Sequence, residues 1–111
     1  MEIQDLIQKI EAVSQKYSKQ YKIKRSSSWF ILKLQEEVGE LTQSYMMMKG
    51  KARSKNKSKK EMRSDFEKEL ADVLCHVLLL ANSNMVDIEK AVDEKWLSWY
   101  KKGLQKKKLN N

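Results

Sequence analysis

Two stretches decide the fold: Leu34-Gln35-Glu36-Glu37-Val38-Gly39-Glu40-Leu41 and Glu69-Leu70-Ala71-Asp72-Val73-Leu74. In each, acids recur three residues apart inside an apolar repeat. Helical residues three apart share a face. Glu37 and Glu40 therefore fall on one flank of a helix, and Glu69 and Asp72 on one flank of another. Around the first stretch, Ile31, Leu34, Val38, Leu41, Tyr45 and Met48 form an unbroken amphipathic stripe, which predicts a helix over about Ser28 to Met48. Ser26, Ser27 and Ser28 offer N-caps, and Gly50 suits the C-terminal end. Around the second stretch a helix is expected from about Glu61 to Ser83. It is charged at first and apolar almost all round from Leu70 to Ala81. Such a helix is buried on most sides, so it should be central or shared with a partner subunit.

Working outward, Ile3, Leu6, Ile10, Val13 and Tyr17 mark a first helix over about Ile3 to Tyr21. Gly50 to Lys60 has no apolar period and reads as a lysine-rich loop. A last helix follows Asp87, a good N-cap, with Ile88, Val92, Trp96 and Trp99 on its expected buried side. It fades into a tail containing Lys106-Lys107-Lys108 and ending Leu109-Asn110-Asn111. There are no prolines and only three glycines, which argues against an all-β chain. A length of 111 residues suits one domain, 1–111, with a small core. The architecture that satisfies four stripes is an all-α, antiparallel four-helix bundle. The nearly all-apolar third helix makes a homo-oligomer the expected way to hide it.

The single cysteine, Cys75, excludes an intramolecular disulfide and the paired-cysteine zinc patterns. No signal peptide is visible, and the longest apolar run, Val77 to Ala81, is too short to span a bilayer. A cytoplasmic protein without a membrane segment is expected. The net charge is +8, yet no acid occurs from Ala12 to Gln35, from Leu41 to Lys60, or after Glu94. Acids are gathered into a few patches of a basic chain. Ionised carboxylates next to a core cost several kcal/mol each unless compensated. Facing pairs would raise each other's pKa. A divalent cation resolves both problems, and an all-oxygen ligand set suits Mg2+ or Mn2+ rather than zinc.

These two stretches resemble the Glu-Glu-x-x-Glu and Glu-x-x-Asp segments of MazG-like pyrophosphohydrolases. The 28 residues between them, Leu41 to Lys68, fit that family's usual gap. Leu78-Leu79-Leu80-Ala81-Asn82 and Val86-Asp87-Ile88-Glu89-Lys90-Ala91 look like its continuation, so the resemblance runs from about Trp29 to Lys102. It implies an all-α fold, usually dimeric or tetrameric. It also implies hydrolysis of a nucleoside triphosphate to the monophosphate and pyrophosphate. Glu37, Glu40, Glu69 and Asp72 would be metal ligands. Glu36 matches the first acid of the longer motif and would help with metal or water, or simply face outward. Lys95 matches a position where the family carries a phosphate-contacting lysine. Trp99 stands where members commonly have Asn, which leaves Lys101 or Lys102 to fill the following basic role.

Other residues keep two readings each. His76, one turn after Asp72, is either a core histidine or a group facing base, carboxylate or metal. Trp29 is either core or one wall of a base pocket, since aromatic faces stack on nucleobases. The lysine-rich loop either closes over a triphosphate or stays solvated. A phosphoribosyl-ATP pyrophosphohydrolase-like enzyme is the near alternative. A basic nucleic-acid-binding helical module without catalysis is the distant one; no known binding motif supports it, and the acid clusters would repel phosphate backbones.

Overall fold

The computed structural model describes residues 1–109 of the chain, with side chains through Gly103. The side chains of the Lys106-Lys107-Lys108 run, and all of Asn110 and Asn111, lie outside the described residues. Every regular element among the described residues is helical. The helices are α1 (Ile3–Gln20), α2 (Ser27–Met48), α3 (Lys59–Ser83), α4 (Ile88–Val92) and α5 (Ser98–Leu109), with a π-helical turn, Asp93–Leu97, joining the last two. The all-α expectation holds, with each of the first three helices within two residues of its expected bounds.

The ends follow capping chemistry. Ser26 accepts a hydrogen bond from the Trp29 amide at the start of α2. At its other end Gly50 takes a left-handed φ of 73°, and the Lys51 amide donates to the Met46 carbonyl. Only glycine adopts that conformation without strain. α3 begins two residues before its expected start. Ser58 and Glu61 form a reciprocal capping box, each side chain bonding the other's backbone amide. The spacing Ser-x-x-Glu at 58–61 carried that signal.

α2 and α3 pack along each other as a hairpin, and α1 rests on α3. α3 is therefore central, as expected. Leu78, Leu79 and Ala81 near its C-terminal end are buried, with Ile7 of α1 and Phe30 of α2. Arg25, between α1 and α2, ties them together. Its guanidinium pairs with Glu11, donates to Ser14 at 3.2 Å and stands 5.2 Å over the Phe30 ring. Asn82 of α3 donates to the other Glu11 oxygen.

The fourth expected helix departs from the reading. α4, the π turn and α5 form an arm that turns 108° away from α3 and, among the described residues, packs extensively on no other helix. Trp96 and Trp99, expected on a buried side, are 71% and 70% exposed. Periodicity identified an apolar face, but it stays largely uncovered among the described residues. α3 is likewise less enclosed than its composition suggests: Leu70 and Leu74 remain half-exposed. No single described helix is long and apolar enough to cross a membrane.

Candidate functional site

The hairpin buries α2 on a flank rather than on the centre of its apolar stripe. Phe30 and Glu37 are its buried residues, while Ile31, Val38 and Tyr45 of the stripe stay substantially exposed. At about 100° per residue, this rotation brings the acidic flank of α2 against the acidic flank of α3. One carboxylate oxygen from each of Glu37, Glu40 and Glu69 lies within 4.8 Å of the others. Glu37 is only 7% exposed, and Glu69 is half-buried. Asp72 stands at the edge of this group, exposed, with its charge reaching both Glu37 and Glu69.

Electrostatics record the crowding. Burial pushes the Glu37 carboxyl up to about 7, with further upward pushes from Glu40 and Asp72 and an opposing one from Lys33. Burial also raises Glu69, helped by Glu40, Asp72 and Asp65. Glu37 Oε2 and Glu69 Oε2 are buried with no hydrogen-bond partner among the described residues. Orphaned carboxylate oxygens converging from two helices are relieved by a proton or by a cation, and this cluster could hold one. A hard divalent ion fits this donor set, which is all oxygen.

Beside the acids lies a cavity of about 590 Å³ between α1 and the hairpin. Glu37 and Asp72 line it together with Trp29, Lys33, Cys75 and His76. α1 supplies the opposite wall with Ile10, Val13 and Tyr17, so the half-exposed C-terminal part of its stripe faces the cavity. Trp29 and His76 meet edge-on with centroids 6.1 Å apart. His76 Nε2 is 4.0 Å from Glu37 Oε1, and its Nδ1 is buried without a partner. Burial, then the Lys33 charge, lower its pKa against the pull of Asp72 and Glu36, so the imidazole is neutral at neutral pH. Cys75 is raised by burial and by Asp72, which keeps it a thiol.

The structure thus brings Glu37, Glu40, Glu69, Asp72, Trp29 and His76 into one region. Glu36 turns outward and pairs with Lys33 at 3.3 Å. Lys95 sits exposed in the π turn and Lys102 lies over the Trp99 ring at 4.9 Å; neither lines the cavity. Residues 51–60 of the lysine-rich loop are exposed throughout, and Lys57 is held by Asp65. Sequence reasoning missed Lys33 and the α1 wall. Lys33 was visible as a lysine four residues before Glu37; the α1 wall had no local signal.

A helical hairpin presenting converged carboxylates beside an apolar cavity defines an all-α protein whose acidic cluster could hold a hard cation. The family model described as MazG nucleotide pyrophosphohydrolase domain matches residues 25–96, and the chain belongs to that family. It is a nucleotide pyrophosphohydrolase, a hydrolase acting on phosphoric anhydrides. No curated protein and no solved structure matches it. The matched span takes in both acidic motifs, the lysine-rich loop and the first half of the arm, and omits α1.

Proposed function

We propose that the protein hydrolyses a nucleoside or deoxynucleoside triphosphate to its monophosphate and pyrophosphate, with Mg2+, or Mn2+, as cofactor. The observation that carries this reading is the convergence of Glu37, Glu40 and Glu69 within 4.8 Å at the edge of a cavity walled by Trp29 and His76. Those three residues would hold the ion, and Asp72 completes the set from the cavity side. The bound ion supplies charge neutralisation at the phosphates and an activated water. The chain's own part is position and proton transfer. Trp29 offers a face to the base. The neutral His76 offers a hydrogen-bonding edge, and a carboxylate oxygen left free of the ion accepts the proton of the attacking water. Glu36, at the rim, acts through Lys33 rather than on the reacting atoms.

The same reading includes a homodimer or homotetramer. Ile31, Val38 and Tyr45 on α2, with Leu70 and Leu74 on α3, line no part of the cavity and remain substantially exposed. Single-chain packing leaves this apolar face uncovered, and a second hairpin laid across it would complete an antiparallel four-helix bundle. Lys95 and Lys102 on the arm then become candidates for phosphate contacts made between subunits.

A pyrophosphate-release screen across canonical and modified nucleoside triphosphates tests the reaction. Release that requires Mg2+ or Mn2+ and yields the monophosphate is the expected result. Absence of release from every nucleotide, or release unaffected by chelation, would overturn it.

A further inference from the structure

Lys33 lies one turn before Glu37 on α2. Its Nζ is 3.6 Å from Glu37 Oε1 and 3.3 Å from Glu36 Oε2. Among the described residues it is the only lysine or arginine paired with any of Glu37, Glu40, Glu69 or Asp72. Its side chain is 27% exposed and lines the same cavity as Glu37, Asp72, Trp29 and His76.

A lysine so placed meets a conflict. An ammonium at 3.6 Å from a ligand oxygen competes with a divalent ion for that oxygen and repels the ion's charge. Lysine is suited to give way, because it carries a point charge on a flexible four-carbon stem. Glu36, exposed and solvated, keeps the ammonium near the rim once Glu37 is taken. The cavity beside it is where a triphosphate would place negative charge that needs cations.

We propose that Lys33 exchanges partners: it neutralises Glu37 until a divalent ion occupies that carboxylate, and then serves the phosphate of the bound nucleotide. This rests on the reading given under Proposed function. Lys33 is thereby both a positioning residue for Glu37 and a determinant of nucleotide affinity.

The test uses the full chain freed of metal by chelation. Mn2+ is titrated by calorimetry into wild type, Lys33→Met, Lys33→Gln and Lys33→Arg. Exchange predicts that Met and Gln variants bind Mn2+ several-fold more tightly than wild type, because the competing cation is gone, while the Arg variant gains nothing. It also predicts that their KM for a hydrolysed triphosphate rises more than kcat falls. A lysine that only braces Glu37 would give the opposite sign, since its loss would disorder the ligand and weaken Mn2+ binding. Mn2+ affinity that is unchanged or weaker in both neutral variants, with wild type binding the ion, would overturn the exchange alone. Failure of wild type itself to bind Mn2+ would overturn the metal-site reading and this inference with it.

Discussion

The two sides of the α2–α3 hairpin reverse the usual order of a protein surface. On the side facing α1, Glu37 is 7% exposed and shares its surroundings with Glu40 and Glu69. On the other side Leu74 is 54% and Ile31 50% exposed. Acids are ordinarily outside and leucines inside. Each side therefore carries an unfavourable arrangement of its own kind. Buried carboxylates are relieved by a cation, exposed apolar rows by another apolar surface. The two faces of one helix pair therefore suit different kinds of contact, a cation on the acidic side and an apolar surface on the other.

The sharpest way to break the comparison is to remove charge from the acidic side. Glu40→Gln keeps the shape but loses a ligand charge. Pyrophosphate release should fall on the order of a hundredfold or more, while circular dichroism stays that of the wild type. Full activity in this variant would separate the acids from the chemistry.

Stability against pH probes the same side without turnover. The Glu37 carboxyl is raised from an ordinary 4.5 to about 7. Below the ordinary value it is protonated in both folded and unfolded chains, so it costs nothing. As pH rises through that window, the unfolded chain ionises first and stability is lost, levelling off above about 7. The loss should be at most about 3 kcal/mol. Glu37→Gln should remove this dependence, and millimolar Mg2+ should flatten it in the wild type by binding the ionised form. Denaturant melts at several pH values, with and without Mg2+, measure both.

On the apolar side, Leu74→Lys should convert an oligomer to a smaller species in sedimentation experiments and leave Mn2+ binding at the carboxylates intact. A wild type that sediments as a monomer at tens of micromolar would remove the partner from the argument. Arg25→Ala is expected to be milder. It breaks the contacts to Glu11, Ser14 and Phe30 and should cost about 1–3 kcal/mol, with thermal melting as the readout. The smallest effect belongs to Ser58→Ala, which opens the capping box of α3 at about 1 kcal/mol. It lies outside both faces and should leave activity and assembly unchanged.

Much of this was legible in the residues alone. The stripes placed α1, α2 and α3, and the serines and Gly50 marked the ends of α2. The paired acids carried the resemblance to the family whose model matches residues 25–96. What the residues did not reveal was which flank each helix would bury. The stripe of α2 centres on Leu34, Val38 and Tyr45, yet packing favours the flank with Phe30 and Glu37. Trp96 and Trp99 were placed on a buried side because their spacing is amphipathic, and amphipathicity does not say whether the covering surface lies in the same chain.

Helical geometry alone determined that Glu37 sits with Glu40 and Glu69 with Asp72, because a three-residue step returns to the same face whatever surrounds it. Bringing Glu69 to Glu37 is a contact between segments separated by the lysine-rich loop, and only the packing of α3 on α2 fixed its register and rotation. The raised carboxyl of Glu37, the cavity under α1 and the place of Lys33 at its rim follow from that contact. They depend on distance and burial between helices, which no local spacing specifies.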